Sequence, residues 1–417
     1  MDVVYAGQKL PGTITRSIFL AGPTPRGPEA ESWRPAALQY LREEGYEGVV
    51  FVPISINPPL IGGENCQDSR KGAWGQDGQW TQGYTAQVEW EERCLNMADC
   101  IVFWVPRDME TMPALTTNVE WGVWCNSGKV VLGFPPDAPK MRYLKHYARE
   151  YSVPMGATLE NTLDAALELI GPGIGPGAPP ERMKGERFVP MYIWKTPAFQ
   201  AWYMAQLHAG NTLEDAKVVW TFRVGPGGKI VFFWALHVDV FITSEKRHKT
   251  NEVVLARPDI STIAVFYLKK EGPVESRDLL DTEIALVREF RSPASTSDGF
   301  IWEIPGGSSW KETEDPAETA VHELEEETGL KVEPSRMEYL GARQVAGTLS
   351  AHKAHCFACQ LSADEMDQLR GEAGVVHGVV GDSERTYVEI RTLRSILDSG
   401  LVDWANLGML FQALVGR

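Results

Sequence analysis

The sequence predicts two domains of different class: an α/β domain, with a parallel sheet flanked by helices, followed by a mixed α+β domain. Three observations carry this reading. The chain has 417 residues, too many for one ordinary core. Short apolar runs alternate with amphipathic stretches up to residue 170, and beyond it the pattern becomes mostly strands. Between the two textures lies GPGIGPGAPP (171–180), where so much Gly and Pro can continue neither a helix nor a strand. The divisions expected are therefore residues 1–170, a Gly/Pro-rich linker at 171–187, and residues 188–417.

In the first domain, residues 17–22 (SIFLAG), 49–52, 100–105 (CIVFWV) and 129–133 read as strands. Residues 33–44, 88–98 and 119–126 read as helices. A sheet built this way is Rossmann-like and places ligands beyond the carboxyl ends of its strands. Residues 57–85 show no periodicity and read as a long loop, a kind usually functional or mobile. In the second domain, residues 217–223, 230–237, 262–268 and 283–290 read as strands. One strong helix follows at 316–328, then more strands and a C-terminal helix; residues 188–210 have no clear assignment.

Composition narrows the function classes. A formal net charge of −16 argues against a protein that neutralises phosphate backbones, so nucleic acid is not expected as a partner. A small anionic substrate remains compatible, because a bound metal can supply local positive charge. The six cysteines are scattered and form no disulfide framework. Neither a basic leader nor a membrane-length apolar run is present, so the expectation is a soluble cytoplasmic protein without a membrane partner.

The most informative segment is PGGSSWKETEDPAETAVHELEEETGL (305–330). Asp315 suits an N-cap, Pro316 the first helical position, and Gly329 the residue just past the end. Ala317, Ala320, Val321 and Leu324 recur with helical spacing and should face the core. Glu323, Glu326 and Glu327 then share an arc of about 100° on another side. Such neighbours repel by roughly 0.2–0.5 kcal/mol per pair. They also sit at the helix end where the dipole disfavours anions by roughly 0.3–1 kcal/mol each. A hard divalent cation with oxygen ligands would compensate.

This segment resembles the Nudix box, with Glu314 on its early glutamate and residues 323–330 on its ELEEETGL-like core. His322 stands where that family has an arginine that braces the box, and the loop from Gly307 to Glu314 is one residue longer. IALVREFRSP (284–293), WEIPGG (302–307) and the tail from 398 to 414 are similar to the ADP-ribose pyrophosphatase branch. The resemblance implies an α+β Nudix fold and hydrolysis of a nucleoside diphosphate linkage with Mg2+ or Mn2+ held by Glu323, Glu326 and Glu327. It also implies Glu384, with Asp382 as a fallback, as the late glutamate, and Arg288 and Arg291 as diphosphate contacts.

In the first domain AGPTPRG (21–27) follows a strand, and a glycine-bearing turn there can bring backbone N–H groups to a phosphate or ribose. TTNVEWG (116–122) follows the CIVFWV strand, with Thr117 and Glu120 at capping-box spacing. A carboxylate at a helix N-terminus would stay ionised and suit attack on a sugar carbon. Together with residues 88–108, these motifs resemble the nucleoside 2-deoxyribosyltransferase-like family over residues 17–144. The resemblance implies Glu120 as nucleophile, Asn118 as a sugar-orienting residue and Glu92 as the acid that protonates the base. Gly22, Thr24 and Arg26 become substrate-binding residues.

His352, His355, Cys356 and Cys359 crowd too closely for a closed zinc site and read instead as part of a strand. The expected function is a bifunctional enzyme acting on a small nucleotide or dinucleotide. One domain cleaves a diphosphate and the other an N-glycosidic bond, within a homo-oligomer as both families form. The alternative is a Nudix hydrolase regulated by a non-catalytic, nucleotide-binding N-terminal module.

Overall fold

The computed structural model describes residues 1–26, 29–54, 82–171, 181–225, 230–268, 279–308, 315–378 and 384–415. Most of the loop expected at 57–85, linker residues 172–180, Glu314 and Asp382 lie outside the described residues. The chain divides into two compact units, Met1–Val254 and Leu255–Arg417.

The first unit is built on β1 (Asp2–Tyr5), β2 (Ser17–Ala21), α1 (Arg34–Glu43), β3 (Val49–Val52), α2 (Gln82–Met97) and β4 (Cys100–Trp104). There follow α3 (Leu115–Trp124), β5 (Val130–Gly133), β6 (Met155–Gly156) and α4 (Leu159–Ile170). The six strands form a parallel sheet in the order β1-β3-β2-β4-β5-β6. Every residue of β2, β3, β4 and β5 is buried, as expected where helices cover both faces. One face packs Ile18, Leu20, Val50 and Val102 against Ala37 and Leu41 of α1 and Leu163 and Ala166 of α4. The order reverses between β2 and β4, so the ligand crevice of such a sheet opens beyond those two strand ends.

The division assigned to residues 171–187 needs correction. Arg182 is fully buried and pairs with Asp99 at 2.5 Å, while its other donors reach Val189 O and Thr15 O. Asp99 also accepts from Ser17 N and Met191 N, both at 2.9 Å. This node ties residues 182–191 to the foot of the parallel sheet. Removing one partner of such a pair strands a buried charge, at a cost of roughly 3–5 kcal/mol. Residues 188–254, expected with the second domain, group instead with the first unit. They contain α5 (Pro197–His208) and an antiparallel sheet of β7 (Thr212–Val224), β8 (Ile230–Ile242) and β9 (Arg247–Ala256). Phe199 and Tyr203 of α5 pack with Trp194, and Phe199 meets Trp234 of β8 at 5.9 Å, so aromatic contacts carry this sheet.

The second unit contains β10 (Ile260–Tyr267), β11 (Glu283–Phe290), β12 (Phe300–Glu303), α6 (Pro316–Thr328), β13 (Glu338–Gln344), β14 (Lys353–Gln360), β15 (Thr386–Thr392) and α7 (Trp404–Leu414). Its mixed sheet runs β13-β14-β10-β11-β15, with β10 and β14 parallel, β12 on β11, and Gly306–Gly307 on β10. On one face Ile263, Val265 and Ala285 pack against Ala320 and Leu324 of α6. On the other Ala264, Phe266, Ile284 and Leu286 pack against Leu410 and Ala413 of α7. Helix α6 begins and ends as its caps dictate: Asp315 accepts from Ala317 N at 2.8 Å, and Gly329 closes it at φ 74. Strand β14 absorbs Cys356 and Cys359 as buried core residues, as read from the sequence. Among the described residues no helix is long and apolar enough to cross a membrane.

Candidate functional sites

A cavity of about 870 Å3 lies in the first unit at the carboxyl ends of β2 and β4. Gly22, Thr24 and Arg26 line it, and so does Glu120. Gly22 has φ 145, and a Cβ there would meet Trp104 O at 2.2 Å, so only glycine lets the two strand ends approach. Arg34, at the start of α1, organises the turn after β2. Its guanidinium donates to Leu20 O, Gly22 O, Pro23 O and Thr24 Oγ1 at 2.7–3.3 Å.

Two expectations are corrected here. Helix α3 begins at Leu115, so Thr117 lies inside it and Glu120 in its second turn, beyond the capping position. Glu120 is not kept ionised by a helix end; burial and the neighbouring Glu91 push its pKa up to about 8, against the pull of Arg34. The second correction concerns Glu92, whose side chain is 63% exposed and 4.0 Å from Lys217. Glu91, one residue earlier, lines the cavity with Gln87, which donates to its Oε1 at 2.9 Å. Burial raises the Glu91 pKa as well, again opposed by Arg34. The signal was present in the helix: Gln87, Glu91 and Leu95 repeat every fourth residue on one face of α2, and Glu92 is off it. Asn118 does not line the cavity; it accepts from Arg107 Nη2 on the exposed side of α3.

Two half-buried carboxylates under a shared cation form a coupled unit in which one can carry a proton while the other is ionised. Arg34 is the lever. Arg34→Met should raise the pH at which the pair loses its last proton by roughly one unit or more, since an adjacent cation favours the anions. Carboxylate NMR titration reads this directly, and an unmoved titration would mean that Arg34 only braces the turn.

In the second unit, one carboxylate oxygen each from Glu289, Glu327 and Glu384 lie within 4.8 Å of one another. Glu327, on α6, is 3% exposed, and its Oε2 accepts from Gly306 N at 2.8 Å. Burial pushes its pKa well above the carboxylate range, and Glu323, Glu384 and Glu289 push it the same way. The helix end is held by Thr386 Oγ1 on Glu327 O and Gly378 N on Glu326 O, contacts that bring the strand after Glu384 alongside. Glu323 lies against Gly307, where an added Cβ would fall 2.4 Å from its carboxylate. Glu326 is outside the converging group, with its carboxylate 3.5 Å from the exposed His322. Among the described residues this donor set fits a hard divalent cation: several oxygens, a buried member and mutual repulsion.

Strand parity sorts the two arginines. Arg288 follows Ile284 and Leu286 onto the α7 face, where it pairs with Asp298 at 2.9 Å and covers Phe300. It is not brought to the carboxylates. Arg291 is, pairing with Glu289 and Glu303, both at 2.8 Å. Arg257 was not foreseen; it is half-buried, donates to Ser308 Oγ at 2.9 Å and stands in the field of Glu323, Glu303 and Glu384. Glu289 was missed as well, since it lies in a strand with no acidic pattern around it.

Residues 278–379 match the family described as NUDIX domain, and residues 15–138 match that described as nucleoside 2-deoxyribosyltransferase like. The chain joins a nucleoside 2-deoxyribosyltransferase-like domain to a NUDIX domain. It is a nucleotide-processing hydrolase. No curated protein matches it.

Proposed function

We propose that the NUDIX domain hydrolyses the diphosphate of a small nucleotide or dinucleotide such as ADP-ribose or an NAD-like compound. The observation that carries this is the convergence of Glu327 of α6 with carboxylates from two other segments. Glu323 and Glu327, with Glu384, are the residues that would hold Mg2+ or Mn2+, which when bound neutralises the diphosphate and acidifies water. On this reading Glu384 takes the proton from the attacking water, and Arg291 and Arg257, which stand beside the carboxylates, face the phosphoryl oxygens. Neither Glu326 nor Arg288 enters this scheme, because both are turned elsewhere.

The N-terminal domain, on the same reading, cleaves or transfers an N-glycosidic bond. Glu120 attacks the anomeric carbon while Glu91 delivers a proton to the leaving base, the division of labour that two carboxylates flanking a glycosidic bond perform. Gly22, Thr24 and Arg26 line the ribose–phosphate end of the cavity. A second reading, a nucleotide-binding module without catalysis, is favoured by the burial that, with Glu91, pushes the Glu120 pKa up to about 8 and so disfavours the anion a nucleophile needs. Assembly as a cytoplasmic homo-oligomer belongs to the proposal, and sedimentation reads the assembly.

The deciding experiment incubates the full chain with ADP-ribose, NAD and nucleoside monophosphates, with Mg2+ or with a chelator. Diphosphate cleavage should vanish with the chelator and return with Mg2+, while release of free base persists in both. Base release absent from every substrate selects the second reading. Absence of Mg2+-dependent diphosphate cleavage overturns the first.

A further inference from the structure

Resting on the diphosphate reading, we propose that Glu289, outside the helix motif, is itself a ligand of the divalent cation. Glu289 then joins Glu323, Glu327 and Glu384 in the metal site of this chain, and Glu326 stands outside it. Three observations lead there.

The first is reach. Oxygens sharing a cation at about 2.1 Å lie up to about 4.2 Å apart, so a group converging within 4.8 Å needs only small side-chain shifts to close on one ion. The second is direction. Ala285 packs on the α6 face of the sheet, and alternation along β11 puts Glu289 on that same face, over the end of α6. The third is an unmet valence. Glu289 is 6% exposed, and its Oε2 is buried without a hydrogen-bond donor. Arg291 Nη2 lies 2.8 Å away but off the hydrogen-bonding direction, and Arg291 divides its charge between Glu289 and Glu303. A buried carboxylate oxygen left this way costs free energy, and a cation on the Glu327 side removes that cost. Glu326, by contrast, has its oxygen near His322 and solvent around it.

The alternative is that Glu289 serves only as the counterion of Arg291. Titration of the full chain with Mn2+, followed by electron paramagnetic resonance of the free ion, separates the two without any turnover assay. Glu289→Gln and Glu327→Gln should each lose a Mn2+ site or weaken it by about tenfold or more, while Glu326→Gln stays within about threefold of the parent. Glu289→Asp keeps the charge and the partner of Arg291 on a shorter arm, and it should also bind more weakly. It supplies the reading should Glu289→Gln fail to fold. Parental affinity in either Glu289 variant, with Glu327→Gln impaired, overturns the inference and leaves the diphosphate reading standing. Parental affinity in Glu327→Gln as well, or no Mn2+ binding by the parent, brings down that reading itself.

Discussion

Glu327→Gln is expected to reduce diphosphate hydrolysis by more than about 100-fold, beyond the roughly 10–100-fold seen when a group merely supports a metal ligand. Its carboxylate is buried among three others, and its one hydrogen bond, from Gly306 N, can be accepted equally by an amide oxygen. The variant therefore keeps the turn after β12 in place and removes only the charge. Charge removal has a second consequence with the opposite sign. In chelator the fold of the parent must tolerate crowded anions, so the glutamine variant should melt higher. With Mg2+ the parent gains stability by binding and the variant gains less, so the difference narrows or reverses. Melting curves with and without Mg2+ alongside turnover check both halves. A variant that turns over like the parent would contradict the site outright.

Glu120→Gln should lower base release by at least about 100–10,000-fold, since losing the nucleophile costs no less than the range for losing a positioned acid–base group, and leave diphosphate cleavage unchanged. Its pH signature is equally specific. The folded-state pKa of about 8 lies above the ordinary value of 4.5, so the fold retains a proton over a range where the unfolded chain has lost it. Stability of the parent therefore falls as pH rises from 4.5 towards 8 and levels off above it. Glutamine does not titrate, so its advantage over the parent should be absent near pH 4, grow through neutrality and be complete above about pH 8. A difference independent of pH would show that Glu120 is ionised in the fold, as a helix-terminal carboxylate would be.

Short-range features of the chain were decisive wherever the signal is local. Asp315, Pro316 and Gly329 bound α6 because capping and backbone conformation are settled within a few residues. The apolar runs at 17–22 and 100–105 announce buried parallel strands for the same reason, and both domain classes follow from that alternation. Glu91 was within reach of the same reasoning, because helical spacing with Gln87 and Leu95 marks the cavity face. Only the helix start at Leu115, set by the turn before it, shows that Glu120 lies too deep for an N-terminal role.

What the tertiary structure alone decided are the meetings between distant segments. Glu289 reaches Glu327 because β11 presents that parity to α6, and no local pattern in the strand distinguishes Glu289 from a solvated glutamate. Residues 188–254 join the first unit because the neighbouring Arg182 has its counter-charge in Asp99, Met191 N donates to the same carboxylate and Tyr192 Oη donates to Ser127 O. Composition marks where a chain bends easily. Which core a segment then joins depends on charges and rings that lie far away in sequence, and the free energy of burying them exists only once the fold has brought them together.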